Sequence, residues 1–299
     1  PLDTVVPELP SNDAKDTSCR KILEEAIEYV NKTWKDNLEP VYVQTKEKTI
    51  TPESILFPIT HETSIKWLEH FCRSRFHLFG KYEDAIDSKQ RNVLFHSAIT
   101  PMLNLGLLTP QQVVDTITKY YNSHKTEIGI ANYEGFIRQI IGWREYQRYI
   151  YRYIGDKMRS SNHFNNSRKL TSQWYSGSIG IKPVDDAIIM AMNDGYIHHI
   201  LRLMVMGNFM NLVGIHPDEV YKWFMEFSLD SYDWVMVGNV YSMALWADGG
   251  LTMRKPYISG DGYIMKMSNY SSNTKKVNEV NKVNEVDKRS EEHTSELQS

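Results

Sequence analysis

A chain of 299 residues, 41% apolar and 12% aromatic, can bury a sizeable core in one large domain or two small ones. Its formal net charge of −3 gives no overall basic signature, so any nucleic-acid contact must come from a local patch. Two cysteines, Cys19 and Cys72, match no metal-ligand spacing or disulfide framework, which suits a cytoplasmic protein, and neither a membrane span nor a signal peptide is visible.

The first residue is Pro1 rather than Met, and the chain reads as a fragment of an open reading frame, cut at both ends. Residues 1–18, rich in Pro, Asp and Ser, read as a linker. Cys19, Ile22, Leu23, Ala26, Ile27 and Val30 have helical spacing, which predicts an amphipathic helix over 19–35. Pro40, Pro52 and Pro58 make 36–60 irregular. The folded core then begins. Thr63 can cap a helix with Trp67, Leu68, Phe71 and Phe76 on its inner face, and 80–85 follows as a turn. Next, His96, Ser97, Ala98, Ile99 and Thr100 set small hydroxyl residues beside a helix start. Such residues can offer side-chain and backbone N–H groups to a phosphate, although taken alone ordinary helix capping explains them better. Thr109-Pro110 opens a clear helix, with Val113, Val114, Ile117, Tyr120 and Tyr121 along one face.

Residues 134–146 form another helix, in which Phe136, Ile140 and Trp143 stack while Arg138, Gln139 and Arg144 add polar groups. Residues 151–176 mix Arg152, Lys157, Arg159, Arg168 and Lys169 with aromatic rings. That mix suits a phosphate backbone with stacked bases, or equally a solvated loop with packed rings. Pro183 opens a helix that carries Gly195–Met204, where His198 and Arg202 stand four apart and His199 and Arg202 three apart. One face thus holds imidazole and guanidinium among apolar flanks, and a buried arginine needs an acceptor. Pro217 opens the next helix, and 229–239 supplies acceptors among aromatic residues. No convincing alternating strand lies between 60 and 270, so the core is all-α, without an internal repeat. Lys275–Lys288 is a low-complexity polar repeat read as a disordered tail, and 289–299 looks like a translated sequencing adapter.

Taken in order, several stretches resemble the C-terminal flavin-binding half of the photolyase/cryptochrome superfamily, in its bacterial clade that includes the prokaryotic (6-4) photolyases. They are Phe79–Ala85, Phe95–Leu108, Glu134–Glu145, Tyr196–Met204 with Gly207-Asn208-Phe209, Pro217–Trp223, Asp233-Trp234-Val235, and Ala247–Gly250 with Lys255-Pro256-Tyr257. The resemblance runs from about Pro58 to Tyr270. It implies a connecting segment over 1–57, a helical FAD-binding catalytic domain over 58–272, a tail over 273–288 and the adapter-like end over 289–299. The family's N-terminal α/β antenna domain is then missing, and its antenna pigment is not expected here. The resemblance also implies that His96, Ser97, Ala98, Ile99 and Thr100 hold the FAD phosphates, and that Arg202 and Asp230 pair beside the ring. Asp233 and Asn239 come as candidate ring contacts, and His198 and His199 as the paired histidines facing the lesion. Arg144, Arg168 and Lys169 face DNA in this reading, Trp223 relays electrons, and Asp84 matches an acidic position for a divalent ion. The implied activity is light-driven: an electron from reduced FAD splits a flipped-out dimer in UV-damaged DNA, with a histidine as acid in the (6-4) case.

Departures from the family pattern are informative. The clade ligates a [4Fe–4S] cluster with four cysteines, whereas Pro183, Ser271 and Thr274 stand at the matching places, so no cluster is expected. Phe224 and Tyr175 replace a tyrosine and a tryptophan of the electron relay. Two functions follow: a DNA photolyase of the (6-4) type acting as a monomer, or a cryptochrome-like photoreceptor that binds FAD without repair. The paired histidines favour the first.

Overall fold

The computed structural model describes residues 2–11, 13–34, 50–89 and 92–270. Among these residues the expected all-α architecture holds: helices follow one another, no strand forms, and two isolated bridges pair Ile86 with Ser268 and Arg168 with Ile215. No described helix is long and apolar enough to cross a membrane. The tail expected over 273–288, the adapter-like end, Ser271, Thr274 and most of the irregular stretch after residue 35 lie outside the described residues.

Helix α1 (Thr17–Thr33) starts two residues earlier than its apolar spacing suggests, because the Asp16 carboxylate accepts the Ser18 and Cys19 N–H groups at 2.9 and 3.0 Å. The segment before it is no free linker. Leu2 and Val6 pack on Tyr82, Ala85, Leu94 and Phe95, and Asp13 accepts Ile59 N–H at 2.7 Å and the Thr63 hydroxyl at 3.0 Å. The cap of α2 (His61–Ser74) is therefore Thr60 rather than Thr63: Thr60 Oγ1 accepts Thr63 N–H at 3.2 Å, while the Thr63 side chain is committed to Asp13. Helices α3 (Thr100–Asn104) and α4 (Pro110–Ser123) follow, the second opened by Thr109-Pro110 as its sequence predicts, with Thr109 in a reciprocal cap with Gln112.

Helix α5 (Ile130–Ile137) runs through a wide π turn (Arg138–Trp143) directly into α6 (Arg144–Arg159). Residues 151–159 of the stretch read as a basic loop are thus helix, held by the buried spacing of Gln147, Ile150 and Met158. Helix α7 (Lys182–Asp194) stops short of the His/Arg stretch. Gly195 takes φ +59°, and a Cβ there would stand 2.8 Å from Leu229 Cγ. His198 precedes the next helix, supplying the carbonyl that accepts Arg202 N–H at 3.2 Å, so His198 and Arg202 do not share one helix face as expected. A second π turn (Leu201–Gly207) leads into α8 (Asn208–Leu212), followed by α9 (Pro217–Phe227) and α10 (Asp233–Val237). A third π turn (Gly238–Ala244) and α11 (Asp261–Met267) complete the described chain.

Two apolar clusters carry the fold. One joins α2, α4 and α5 through Trp67, Phe71, Phe76, Ile117, Phe136 and Ile140. The larger joins α7 to the third π turn through Ile188, Ile200, Met206, Trp223, Val237 and Tyr241. At roughly 1.5–3 kcal/mol per fully buried large side chain, these clusters dominate stabilisation. The three π turns lie where the clusters meet.

Candidate functional site

A cavity of about 710 Å³ opens at this seam, and residues of all three π turns line it: Gln139 and Trp143, Arg202 and Met204, Asn239 and Met243. A π turn inserts one residue into a helix, so side chains beyond it are re-aimed, a device common at functional sites. The second and third π turns cross closely. A Cβ on Gly207 would lie 2.8 Å from that of Ala244.

One wall is the loop before α3, where His96, Ser97, Ala98, Ile99 and Thr100 all face the cavity. Trp67 Nε1 donates to Ser97 O at 2.8 Å and pins the loop, and Ala98 takes φ +50°, a left-handed conformation that costs a non-glycine residue energy. On the opposite wall Arg202 Nη2 meets Asp230 Oδ1 at 2.8 Å, both side chains largely buried. Arg202 Nε donates to Ile197 O at 2.6 Å, its guanidinium lies 5.2 Å from the Tyr196 ring centroid, and Asn104 Nδ2 donates to Asp230 O at 2.7 Å. The acceptor that the sequence demanded for Arg202 is thus Asp230. The pair approaches off the hydrogen-bonding axis, so Nη2 and Oδ1 keep unused capacity. His96 Nε2, Gln147 Oε1 and Asn239 Oδ1, on the same walls, also lack partners. Three unpartnered polar atoms and an ion pair with unused hydrogen-bonding capacity around one largely apolar cavity fit a large polar heterocycle, and the volume falls within the ~300–1,000 Å³ typical of ligand sites. The residues present therefore fit FAD.

The two adjacent histidines part company. His199 opens onto the cavity, and surrounding protein together with Arg202 lowers its pKa to about 4. His198 is buried, 1% exposed, and stacks on His96 with centroids 4.7 Å apart and planes 16° apart. Burial, then His96, His199 and Arg202, pushes its pKa well down, and neither ring nitrogen has a partner. Burial, with His199 and Arg75, brings His96 down to about 4.

Other expected residues separate likewise. Arg144 lines the cavity, its guanidinium 5.2 Å from the Trp234 ring centroid, whereas Arg168 and Lys169 lie exposed elsewhere. Asp233 is absent from the lining. Its carboxylate accepts from Arg159 and Tyr221, and from Tyr151 at 2.6 Å, clamping α6, α9 and α10 together. Burial opposes that charge, yet these donors hold the Asp233 pKa below its ordinary value. Asp84 sits at the cavity rim beside Glu83, and among the described residues no group of three or more His, Cys, Asp or Glu converges for a metal. Trp223 is buried behind the cavity, with Phe224 between them in edge contact at 5.1 Å. Gln147 and Trp234 are cavity residues that sequence reasoning missed. Gln147 was legible as a polar residue one turn after Trp143 on an otherwise apolar helix face.

No family model matches the chain. It is 35% identical over 250 residues to a (6-4) photolyase of Agrobacterium fabrum strain C58, a match covering 84% of this chain and 46% of that protein. The chain therefore spans about half the length of this curated relative. Among solved structures, it superposes on a bacterial class III photolyase from Agrobacterium tumefaciens with a TM-score of 0.57 at 17% identity, covering 76% of this chain and 47% of that one. A Synechocystis cryptochrome gives 0.56 at 15% identity, covering 69% and 42%. Sequence identity and shared fold together place the chain in the photolyase/cryptochrome superfamily.

Proposed function

We propose that this chain binds FAD in the seam cavity and serves light-driven repair of UV-damaged DNA, of the (6-4) type. The observation that carries the reading is the ring of orphaned polar atoms around the Arg202–Asp230 pair. When bound, FAD supplies photoexcited one-electron donation. The loop from Ser97 to Thr100 has the hydroxyls and backbone N–H groups to hold its phosphates, and Arg202 with Asp230 sets a fixed charge pair beside the ring. Trp143, Arg144 and Trp234 offer aromatic faces and a cation to an extruded pyrimidine.

His199 is the candidate acid, since it faces the cavity while His198 does not. With its pKa near 4, His199 is neutral at pH 7. Negative charge entering the cavity beside Arg202 would favour the protonated form of His199. His198 is a positioning residue in this scheme, its buried ring fixed against His96.

The test is to add FAD to purified protein, record the visible spectrum before and after blue light with a reductant, and then assay repair of (6-4) and cyclobutane lesions. Flavin binding with light-dependent (6-4) repair, abolished in His199→Ala, is the expected outcome. Stable FAD binding and photoreduction without repair would replace the enzyme with a photoreceptor. A folded protein that takes up no FAD would end both readings.

A further inference from the structure

Between the third π turn and α11 the chain runs from 245 to 260 without a helix, yet it is fixed at both ends. At the near end Trp246 takes φ +49°, and Gly249 and Gly250 take +68° and +99°. Left-handed backbone at a tryptophan costs energy that surrounding contacts must hold. Here the indole fills the turn: its Nε1 donates to Met253 O at 2.8 Å, and a Cβ at Gly250 would stand 3.0 Å from its Cζ2. The Tyr146 hydroxyl donates to Thr252 O at 3.4 Å, tying the turn to α6 two residues from Arg144. At the far end the buried Asn208 side chain donates to Ser259 O at 2.8 Å and accepts Ser259 N–H at 3.0 Å. The Ser259 hydroxyl donates to the carbonyl of Met204, a cavity residue.

What lies between the two anchors is turned outward. Tyr257 lines the cavity, while Arg254 and Lys255 are exposed and make no ion pair or hydrogen bond among the described residues. Pro256 fixes its own φ and restricts Lys255 to extended backbone, so the two cations stand on a stiff support. Carboxylates close in sequence are engaged elsewhere. Asp248 accepts Gly250 N–H at 3.0 Å and the Thr252 hydroxyl at 3.4 Å, and Asp261 accepts Gly262 N–H at 2.7 Å. The cavity lining also holds Glu83 and Asp84, which disfavour an anion beside them, so a phosphate reaching the mouth is favoured beside 254 and 255. Two free cations thus stand two and three residues from an aromatic cavity residue. A nucleotide has this layout, with an anionic phosphodiester next to a flat base.

We propose that Arg254 and Lys255 are a phosphate-contact surface that holds the DNA backbone beside a base entering the cavity. This rests on the DNA reading above and deepens it by naming residues that grip the strand. Contacts to phosphate position a duplex without reading its bases, so the pair serves damaged and undamaged DNA alike.

The experiment measures binding of a duplex oligonucleotide carrying one (6-4) lesion, and of the same duplex undamaged, between about 50 and 200 mM salt. Arg254→Gln, Lys255→Gln and the double variant are compared with the parent chain, with Lys255→Arg as the charge-conserving variant. Lys119→Gln, on the exposed face of α4, controls for net charge. Each single Gln variant should lower the slope of log affinity against log salt by about one, and the double variant by about two. The loss from each should be about 3-fold larger at the low-salt end than at the high-salt end, and equal for the two duplexes. Lys255→Arg and Lys119→Gln should keep the parent slope. An unchanged slope in the double variant would overturn the proposal. So would a loss confined to the damaged duplex, or an equal loss in Lys119→Gln. A parent chain that binds neither duplex would instead sink the DNA reading itself.

Discussion

His96 and His198 stack 4.7 Å apart in the protein interior, where burial disfavours their charged forms. Burial and neighbouring positive charge bring His96 to about 4 and His198 well below its ordinary value. Unfolded histidine titrates near 6.5, so on acidification the unfolded chain takes up these protons first. Their stabilising contribution is complete above about pH 6.5 and declines as pH falls towards 4, by up to about 1.4 kcal/mol per pH unit for each ring. His199 titrates in the same direction but opens onto the cavity, where solvent reduces its share. Urea titrations between pH 7 and 4 should show this slope. His198→Phe, which keeps the stacked ring without a basic nitrogen, should flatten it by close to one proton, and an unchanged slope would exclude His198 as a contributor. Arg75 poses the opposite case. It is fully buried, has no hydrogen-bond partner, and rests 5.7 Å from the ring centroids of both Trp67 and Phe71. Burial lowers its pKa to about 10, and ring contacts of this kind return only part of the desolvation cost.

At the scale of elements, the three π turns decide where side chains point. The first two interrupt a continuing helix and the third ends one, and each sends residues into the same cavity. Their mutual approach is controlled at Gly207, whose missing Cβ would stand 2.8 Å from Ala244 Cβ and 3.0 Å from Arg202 O. Gly207→Val should therefore push the second and third π turns apart and destabilise by about 1–3 kcal/mol, the range for overpacking a tight core. Denaturant melts would measure the loss. Because Arg202 and Asn239 ride on those two turns, FAD affinity should fall in the same variant even where it stays folded. Retained affinity alongside lost stability would show that the turns can shift without disturbing the cavity.

For the molecule as a whole, the cavity divides two apolar clusters that are otherwise joined through α5–α6 and the Tyr196–Arg202 region. A ligand lodged at the seam bridges both and should stabilise the whole domain by linkage. At a hundredfold excess over its dissociation constant, FAD should add about 2.7 kcal/mol, seen as a rise of several degrees in the thermal midpoint. One shared transition that moves upward with FAD is the expected result. An unmoved midpoint would mean that FAD does not bind the native state at the seam.

Much of this was legible in residue order. Helical spacing over α4 and α9, proline at their first turns, and the lack of alternating strand patterns were enough for an all-α core. A buried arginine at 202 demanded a carboxylate, and the acceptor-rich stretch at 229–239 supplied Asp230. These inferences hold because periodicity, capping and charge compensation are short-range constraints, or depend on one obligatory partner. Tertiary structure alone decided the rest. Gly195 ends α7 because Leu229, distant in sequence, leaves no room for a Cβ, and that break turns His198 inward and His199 outward. Asp233 looked like a cavity residue by its position in the chain, yet two tyrosines and Arg159 from other helices draw it away. The π turns rotate every following side chain away from ordinary helical phase, and Gln147 meets Gly238 only because α6 and the third π turn cross. Such close approaches between segments remote in sequence depend on packing geometry, which no local spacing encodes.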